Sequence, residues 1–181
     1  LVLLSVHSYS QDVVTGPFIT RDDITYDQNT NEPITGIVEE FYENDKLQYR
    51  ANLIDGKLDG LYEEFDEDGN LTRTQTFRNG ELYDGLYQYF YENGQLRYRA
   101  NFIEGKLDGL SEGFYENGQL DIKGNLTDGK RDGLFERFDE NGQLETRGNY
   151  KYGELHGLFE YFDEDGNLTS KETYKNGVLV E

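Results

Sequence analysis

Apolar and polar residues alternate along most of this chain in stretches of six to ten, and a glycine separates each stretch from the next. Alternation with period two sends successive side chains to opposite faces of an extended strand. No apolar period of 3.6 residues survives, and glycine this frequent costs a helix roughly 1 kcal/mol at each occurrence. The pattern therefore predicts strands, and it repeats. From Gly36 the same glycine returns at Gly60, Gly85, Gly109, Gly133 and Gly157, in steps of 24, 25, 24, 24 and 24 residues. The one added residue falls within Glu81-Leu82-Tyr83-Asp84, where a connection absorbs it. A second glycine stands nine positions into the unit, at Gly69, Gly94, Gly118, Gly142 and Gly166, with Asp45 in its place in the first unit. A third closes the unit at Gly56, Gly80, Gly105, Gly129, Gly153 and Gly177.

The turn chemistry predicts hairpins. Asn93-Gly94, Asn117-Gly118 and Asn141-Gly142 are Asn-Gly pairs, and Asp68-Gly69 and Asp165-Gly166 are Asp-Gly pairs. A type I′ turn asks for such residues, because both central positions take positive φ. The third glycine set then joins one hairpin to the next. Six units of two strands give an all-β chain, an elongated meander of about twelve short antiparallel strands.

Alternation also assigns faces. One face should carry Leu then Phe in each first strand, as in Leu61 and Phe65 or Leu110 and Phe114, with Glu39, Glu63, Gln88, Glu112, Glu136 or Glu160 between them. Leu96 and Phe102, Leu120 and Leu126, and Leu144 and Tyr150 extend this face from second strands, with Ala51, Ala100, Gly124 and Gly148 at mid-strand. The other face should carry Tyr62, Tyr87, Tyr89, Phe135, Phe159 and Tyr161 together with Arg50, Arg99, Lys123, Arg147 and Lys171. The Leu/Phe face is expected to be the more buried. Whether the sheet stays open or curls does not follow from the pattern.

Residues 36–181 hold the six units. Residues 11–35 stand outside the frame and read as an N-terminal capping segment: Gly16-Pro17 marks a turn, Ile24-Thr25-Tyr26 a strand, and Asp27 to Pro33 a loop. Residues 1–10 read as the remnant of a signal peptide, apolar through Leu1–Val6, with Ser8 and Ser10 at the −3 and −1 positions of a cut before Gln11. The alternative is a short strand. The first reading implies export to the periplasm, the cell envelope or the medium, the second a cytoplasmic protein.

Composition narrows the function. Net charge is −20, with 37 acidic and 17 basic residues, and mean hydropathy is −0.85. Such a chain invites disorder. Fifteen Tyr and eleven Phe at regular spacing argue instead for a thin repeated core. The negative field repels nucleic acid and anionic lipid, and favours a basic protein partner. With no Cys there is no disulfide or thiolate chemistry.

Each candidate site has a plainer rival. Asp66-Glu67-Asp68-Gly69-Asn70 and Asp163-Glu164-Asp165-Gly166-Asn167 resemble the start of a calcium loop, but position twelve is Phe77 or Tyr174 where that loop needs Glu. Hairpin turns account for both, so no metal or cofactor is expected. The glutamate column Glu63, Glu112, Glu136 and Glu160 could meet a basic partner or serve as catalytic carboxylates. Catalysis needs two carboxylates in unlike environments, whereas a ladder makes them alike and invites pairing with Arg and Lys on adjacent strands. His156 replaces an Asp seen at Asp59, Asp84, Asp108 and Asp132, and reads as a surface substitution. The aromatic set Tyr62, Tyr87, Tyr89, Phe135, Phe159 and Tyr161 is the best interface candidate. No catalytic residue is expected.

The unit Gly-Leu-x-Glu-x-Phe-x-Glu-Asn-Gly-Gln-Leu, then Gly-Asn-x-x-x-Gly-Lys-x-Asp-Gly, stands most fully at Gly109 to Gly133. It resembles the MORN-repeat variant family, which includes YwqK-like antitoxins of bacteria. The resemblance implies an array of β-hairpins that works by interaction, without shared catalytic residues. It makes the expected function a protein-binding module, an antitoxin or immunity protein for a basic toxin, or else a structural repeat of the bacterial cell envelope.

Overall fold

A computed structural model describes residues 13–180. The signal-peptide reading of residues 1–10 lies outside them. The described chain is all β, as expected from the alternation. A short lead-in holds β1 (Val13–Thr15), β2 (Phe18–Arg21) and β3 (Ile24–Asp27). The repeats contribute β4 (Gly36–Phe41), β5 (Leu47–Ile54), β6 (Lys57–Phe65), β7 (Leu71–Arg78), β8 (Glu81–Leu82), β9 (Gly85–Phe90), β10 (Leu96–Ile103) and β11 (Lys106–Phe114). They continue with β12 (Leu120–Thr127), β13 (Lys130–Phe138), β14 (Leu144–Lys151), β15 (Glu154–Phe162), β16 (Leu168–Lys175) and β17 (Val178–Leu179).

Fifteen strands form one sheet in the order β1-β4-β5-β6-β7-β9 and onward in sequence to β17, with β8 paired beside β7. Every repeat neighbour is antiparallel, so the meander is as the turns predict, and among the described residues its two ends do not pair with each other. The sheet is open. β1 lies parallel on the outer edge of β4, opposite Ile37 to Glu39. The added residue divides what is elsewhere one nine-residue strand into β8 and β9, with Tyr83 N donating to Thr76 O at 2.8 Å between them.

The two turn sets exchange the roles expected of them. At Asn93-Gly94 only the glycine has positive φ, and the same holds at Gly69, Gly118, Gly142 and Gly166. Gly94 N donates to Tyr91 O at 2.9 Å and Tyr91 N to Gln95 O at 2.8 Å. This is a type I turn followed by a left-handed glycine in a G1 bulge, the usual three-residue hairpin loop. The type I′ turns are the other set. Asp55-Gly56, Asn79-Gly80, Glu104-Gly105, Asp128-Gly129, Tyr152-Gly153 and Asn176-Gly177 have positive φ at both positions.

A second bulge in each hairpin, one residue past the first Leu of the second strand, corrects the face assignment. The register shifts between Leu96 and Tyr98, and at the matching place in each hairpin, so the second strand reverses its parity after its first Leu. Ala51, Ala100, Gly124 and Gly148 therefore stand opposite Tyr62, Tyr87, Phe135 and Phe159, not on the Leu/Phe face. Arg50, Arg99, Lys123, Arg147 and Lys171 cross to the Leu/Phe face, opposite its glutamates and amides. The burial expectation reverses too. Leu61, Leu86, Leu110, Leu134 and Leu158 are 40–51% exposed, whereas Val38, Ala51, Ala100 and Phe135 on the ring-bearing face are 1–8% exposed. The most complete core lies at the N-terminal end, where Ile34, Val38, Ala51 and Leu53 bury against Val14, Phe18, Tyr49, Leu58 and Tyr62. The β2–β3 hairpin seats there, with Thr25 N on Gly56 O at 2.8 Å and Gly56 N on Ile34 O at 2.7 Å.

Candidate protein-binding surface

Strand pairing gathers the ring-bearing face into columns. The central one runs Val38, Ala51, Tyr62, Gln75, and then Tyr87, Ala100, Ser111, Gly124, Phe135, Gly148, Phe159, Glu172 across successive strands. The two runs join where Gln75 Nε2 donates to the Tyr87 hydroxyl, which gives a partner to the one buried polar side chain of this face among the described residues. First strands supply bulk and most second strands supply small residues. A Cβ on Gly124 would run into the Phe135 ring, and one on Gly148 into the Phe159 ring. Each ring thus lies down over a bare backbone. The ends of the second strands add further rings: Phe135 meets Tyr150 edge-on at 5.3 Å, Tyr87 meets Phe102 at 5.2 Å, and Tyr62 meets Phe77 at 6.0 Å. Tyr62 packs into the N-terminal core, where the lead-in covers this face; Tyr87, Tyr89, Phe159 and Tyr161 keep partial exposure.

Four phenols of this face, Tyr62, Tyr87, Tyr161 and Tyr174, are held above the ordinary tyrosine value. Burial, then the hydrogen bond to Tyr89, pushes Tyr87 up to about 12. Burial also raises Tyr62 and Tyr161. Tyr174 is pushed up to about 12, first by donating to Glu172 at 2.7 Å.

The opposite face holds a column of alternating charge. Glu39, Arg50, Glu63 and Thr74 stand side by side, followed by Gln88, Arg99, Glu112, Lys123, Glu136, Arg147, Glu160 and Lys171. Arg50 bridges Glu39 at 2.7 Å and Glu63 at 3.5 Å, Arg99 bridges Glu112 at 2.5 Å, Lys123 Glu136 at 2.9 Å, and Arg147 Glu160 at 2.5 Å. These glutamates are engaged within the sheet. The ten candidate residues therefore divide: six rings on one face, and Glu63, Glu112, Glu136 and Glu160 on the other.

Acidic charge also gathers along the loops. The six three-residue loops with their flanking residues, from Tyr42–Lys46 to Asp163–Asn167, carry twelve carboxylates against one lysine, Lys46. Two devices order this edge. Tyr42, Tyr91 and Tyr115 donate across to the carbonyls of Phe65, Phe114 and Phe138 in the next unit at 2.7–2.8 Å. Where that position is Asp66, Asp139 or Asp163, its carboxylate accepts from two backbone amides of its own loop at 2.8–3.1 Å. This occupies the oxygens that a calcium loop would use, and among the described residues no three acidic or histidine side chains converge on a metal position. Those amide hydrogen bonds hold the three carboxyls below the ordinary Asp value. A depressed carboxylate stabilises the fold above its unfolded value and loses that contribution as pH falls through the folded one. Urea midpoints should accordingly drop between about pH 5 and pH 3, and a D66N/D139N/D163N variant should show a flatter acid limb.

The other edge has a device that local motifs did not disclose. Asp59, Asp84, Asp108 and Asp132 accept the first amide of the next unit's type I′ turn, at Asn79, Glu104, Asp128 and Tyr152, over 2.7–3.2 Å. Each sits 20 residues before its turn, so the recurrence of Asp at these places was the available signal. His156 holds the same place, and its Nδ1 lies 3.2 Å from Asn176 Oδ1, so the Asn176 amide gains no carboxylate there. His156→Asp should restore the contact and stabilise the last hairpin by about 1 kcal/mol. Slower hydrogen exchange at the Asn176 amide would register the gain.

A single open sheet of hairpins with a row of partly exposed rings on one face is the architecture of an interaction repeat. The comparison with family models agrees: the MORN repeat variant matches residues 34–55, 58–79, 83–104, 107–128, 131–152 and 155–176. The chain belongs to the MORN repeat variant family, whose repeats are protein- or membrane-interaction modules. Comparison with curated proteins returned no match.

Proposed function

We propose that the chain is a docking platform for a basic protein, and that it neutralises that partner as an antitoxin or immunity protein does. The observation that carries this reading is the row of partly exposed rings beside an acidic loop edge. Tyrosine suits interface centres because it offers a large apolar ring with a neutral hydroxyl. Among the loop carboxylates only Asp68 meets a lysine, Lys46 at 3.6 Å, so most of their charge can steer a cationic partner and raise its association rate at low salt. The apolar Leu1–Val6 stretch fits export, so the partner would be met outside the cytoplasm. Capture from native extract at low ionic strength tests the reading. One basic protein should be retained, its affinity should fall as salt rises, and Tyr87→Ala with Tyr161→Ala should weaken it at least about tenfold. Salt-indifferent capture, or capture unchanged by the ring variants, would refute it.

The half-exposed leucine row on the charged face favours a second reading, an envelope scaffold that builds through contacts of that face. Sedimentation distinguishes the two. Concentration-dependent self-association abolished by Leu110→Glu and Leu134→Glu supports the scaffold, and a monomer at all concentrations opposes it.

A further inference from the structure

The ring face loses its regularity at one unit. In the column beside the central one, first strands present Glu40, Glu64, Tyr89, Gly113, Arg137 and Tyr161. Only the fourth unit has no side chain there. That unit also carries Ser111 where its neighbours carry Tyr87 and Phe135. The backbone does not require Gly113, which lies outside the left-handed region, unlike the turn glycines. A Cβ on it would meet only Ile122 Cγ2 at 3.0 Å and the Arg97 carbonyl at 4.0 Å. The missing side chain deepens one part of an open groove of about 570 Å³. Gly113 forms its floor, Tyr89, Tyr98 and Ile122 its walls, and Tyr91 and Asp121 its end toward the acidic loops.

Its polar groups are sorted by sign. Asp121 Oδ1 is buried without a hydrogen-bond partner, and the nearest cation, Arg137 Nε, stands 3.6 Å away while also facing Glu145 at 3.5 Å. Arg97 is exposed at the rim with its guanidinium over the Tyr91 ring at 5.6 Å, so the lining already holds one cation–π contact. The Tyr98 and Ser111 hydroxyls hold each other at 3.0 Å. An anion placed here would face a carboxylate. An apolar group would give Asp121 Oδ1 no hydrogen bond. A cation gains both the ring faces and a carboxylate oxygen that accepts no hydrogen bond and whose ion-pair partner Arg137 is shared with Glu145.

We propose that this notch receives the guanidinium or ammonium group of a basic side chain from the protein partner, and so fixes where that partner sits on the array. The inference rests on the docking reading and locates it. The probe is Nα-acetyl-arginine methylamide, titrated into the full chain with amide shifts as the readout. Saturable shifts at Gly113, Tyr98 and Ile122 are expected, and the neutral citrulline analogue should bind about tenfold more weakly. Gly113→Tyr, which installs the residue of the preceding unit, should abolish the shifts. Asp121→Asn should weaken binding about tenfold, and Arg137→Gln should tighten it severalfold by removing the competing cation. Equal binding of citrulline, or shifts confined to the loop edge with Gly113 unmoved, would overturn the proposal, whether or not Gly113→Tyr folds. If wild type and Gly113→Tyr capture the same protein with equal affinity, the notch is refuted while the docking reading stands. If the arginine probe binds as described but no protein is captured, the docking reading falls and the cation site remains.

Discussion

Phe135→Ala is expected to lower the unfolding free energy by about 3 kcal/mol, read as a fall in the urea midpoint. Phe135 is 8% exposed, the most buried ring of the central column. Its removal strips cover from Gly124, ends the edge-on contact with Tyr150 and takes away one of the two rings Arg131 sits over, at 5.0 Å, leaving Tyr150 at 5.2 Å. The layer is single, so nothing on the far side can collapse into the gap. In an array where each unit touches only its neighbours, a weak joint also divides the cooperative block. The variant should therefore unfold with a lower m-value or in two steps, the units after β13 first. The equivalent change at a half-exposed leucine of the other face, Leu134→Ala, should cost under about 1.5 kcal/mol.

Gly148→Val should cost about 2–3 kcal/mol for the opposite reason, too much volume in place of too little. The glycine has ordinary negative φ, so no backbone strain enters, and the whole effect comes from the Phe159 ring that lies across it. Two earlier units show the milder form of the same junction, Ala51 against Tyr62 and Ala100 against Tyr87. Gly148→Ala should accordingly cost less than Gly148→Val. Because the two side chains compete for one space, Phe159→Ala should cost much less in the Gly148→Val background than in the wild type. That coupling, measured as a double-mutant cycle, separates ring displacement from a general loss of strand stability.

Fold class, unit length, the two strands of each unit and the turns within the repeats were legible from glycine spacing and alternation, whereas the β2–β3 turn at Asp22-Asp23 was not. Face assignment was not, because alternation was carried unbroken from Leu96 to Phe102. A bulge at Arg97 inserts one residue between Leu96 and Tyr98, and a single residue moves every later side chain to the other face. Asn-Gly fits a type I′ turn and the αL end of a type I turn equally well, so the pair alone did not separate the two. Conversely, Tyr152 adopts φ of 53° in a true type I′ turn, where only its periodic place, not its residue type, marks it. The candidate rings were found because they recur. The notch at Gly113 was missed because it is an absence, a departure from the repeat that gains meaning only once the columns are known.

Interstrand nuclear Overhauser contacts test the arrangement of faces most directly. The Ala100 methyl should contact the Tyr87 ring, and Arg99 side-chain protons should contact those of Glu112. Ala100 methyl contacts to Leu86 and Leu110 in place of Tyr87 would return the small residues to the leucine face, and the row of partly exposed rings would not exist.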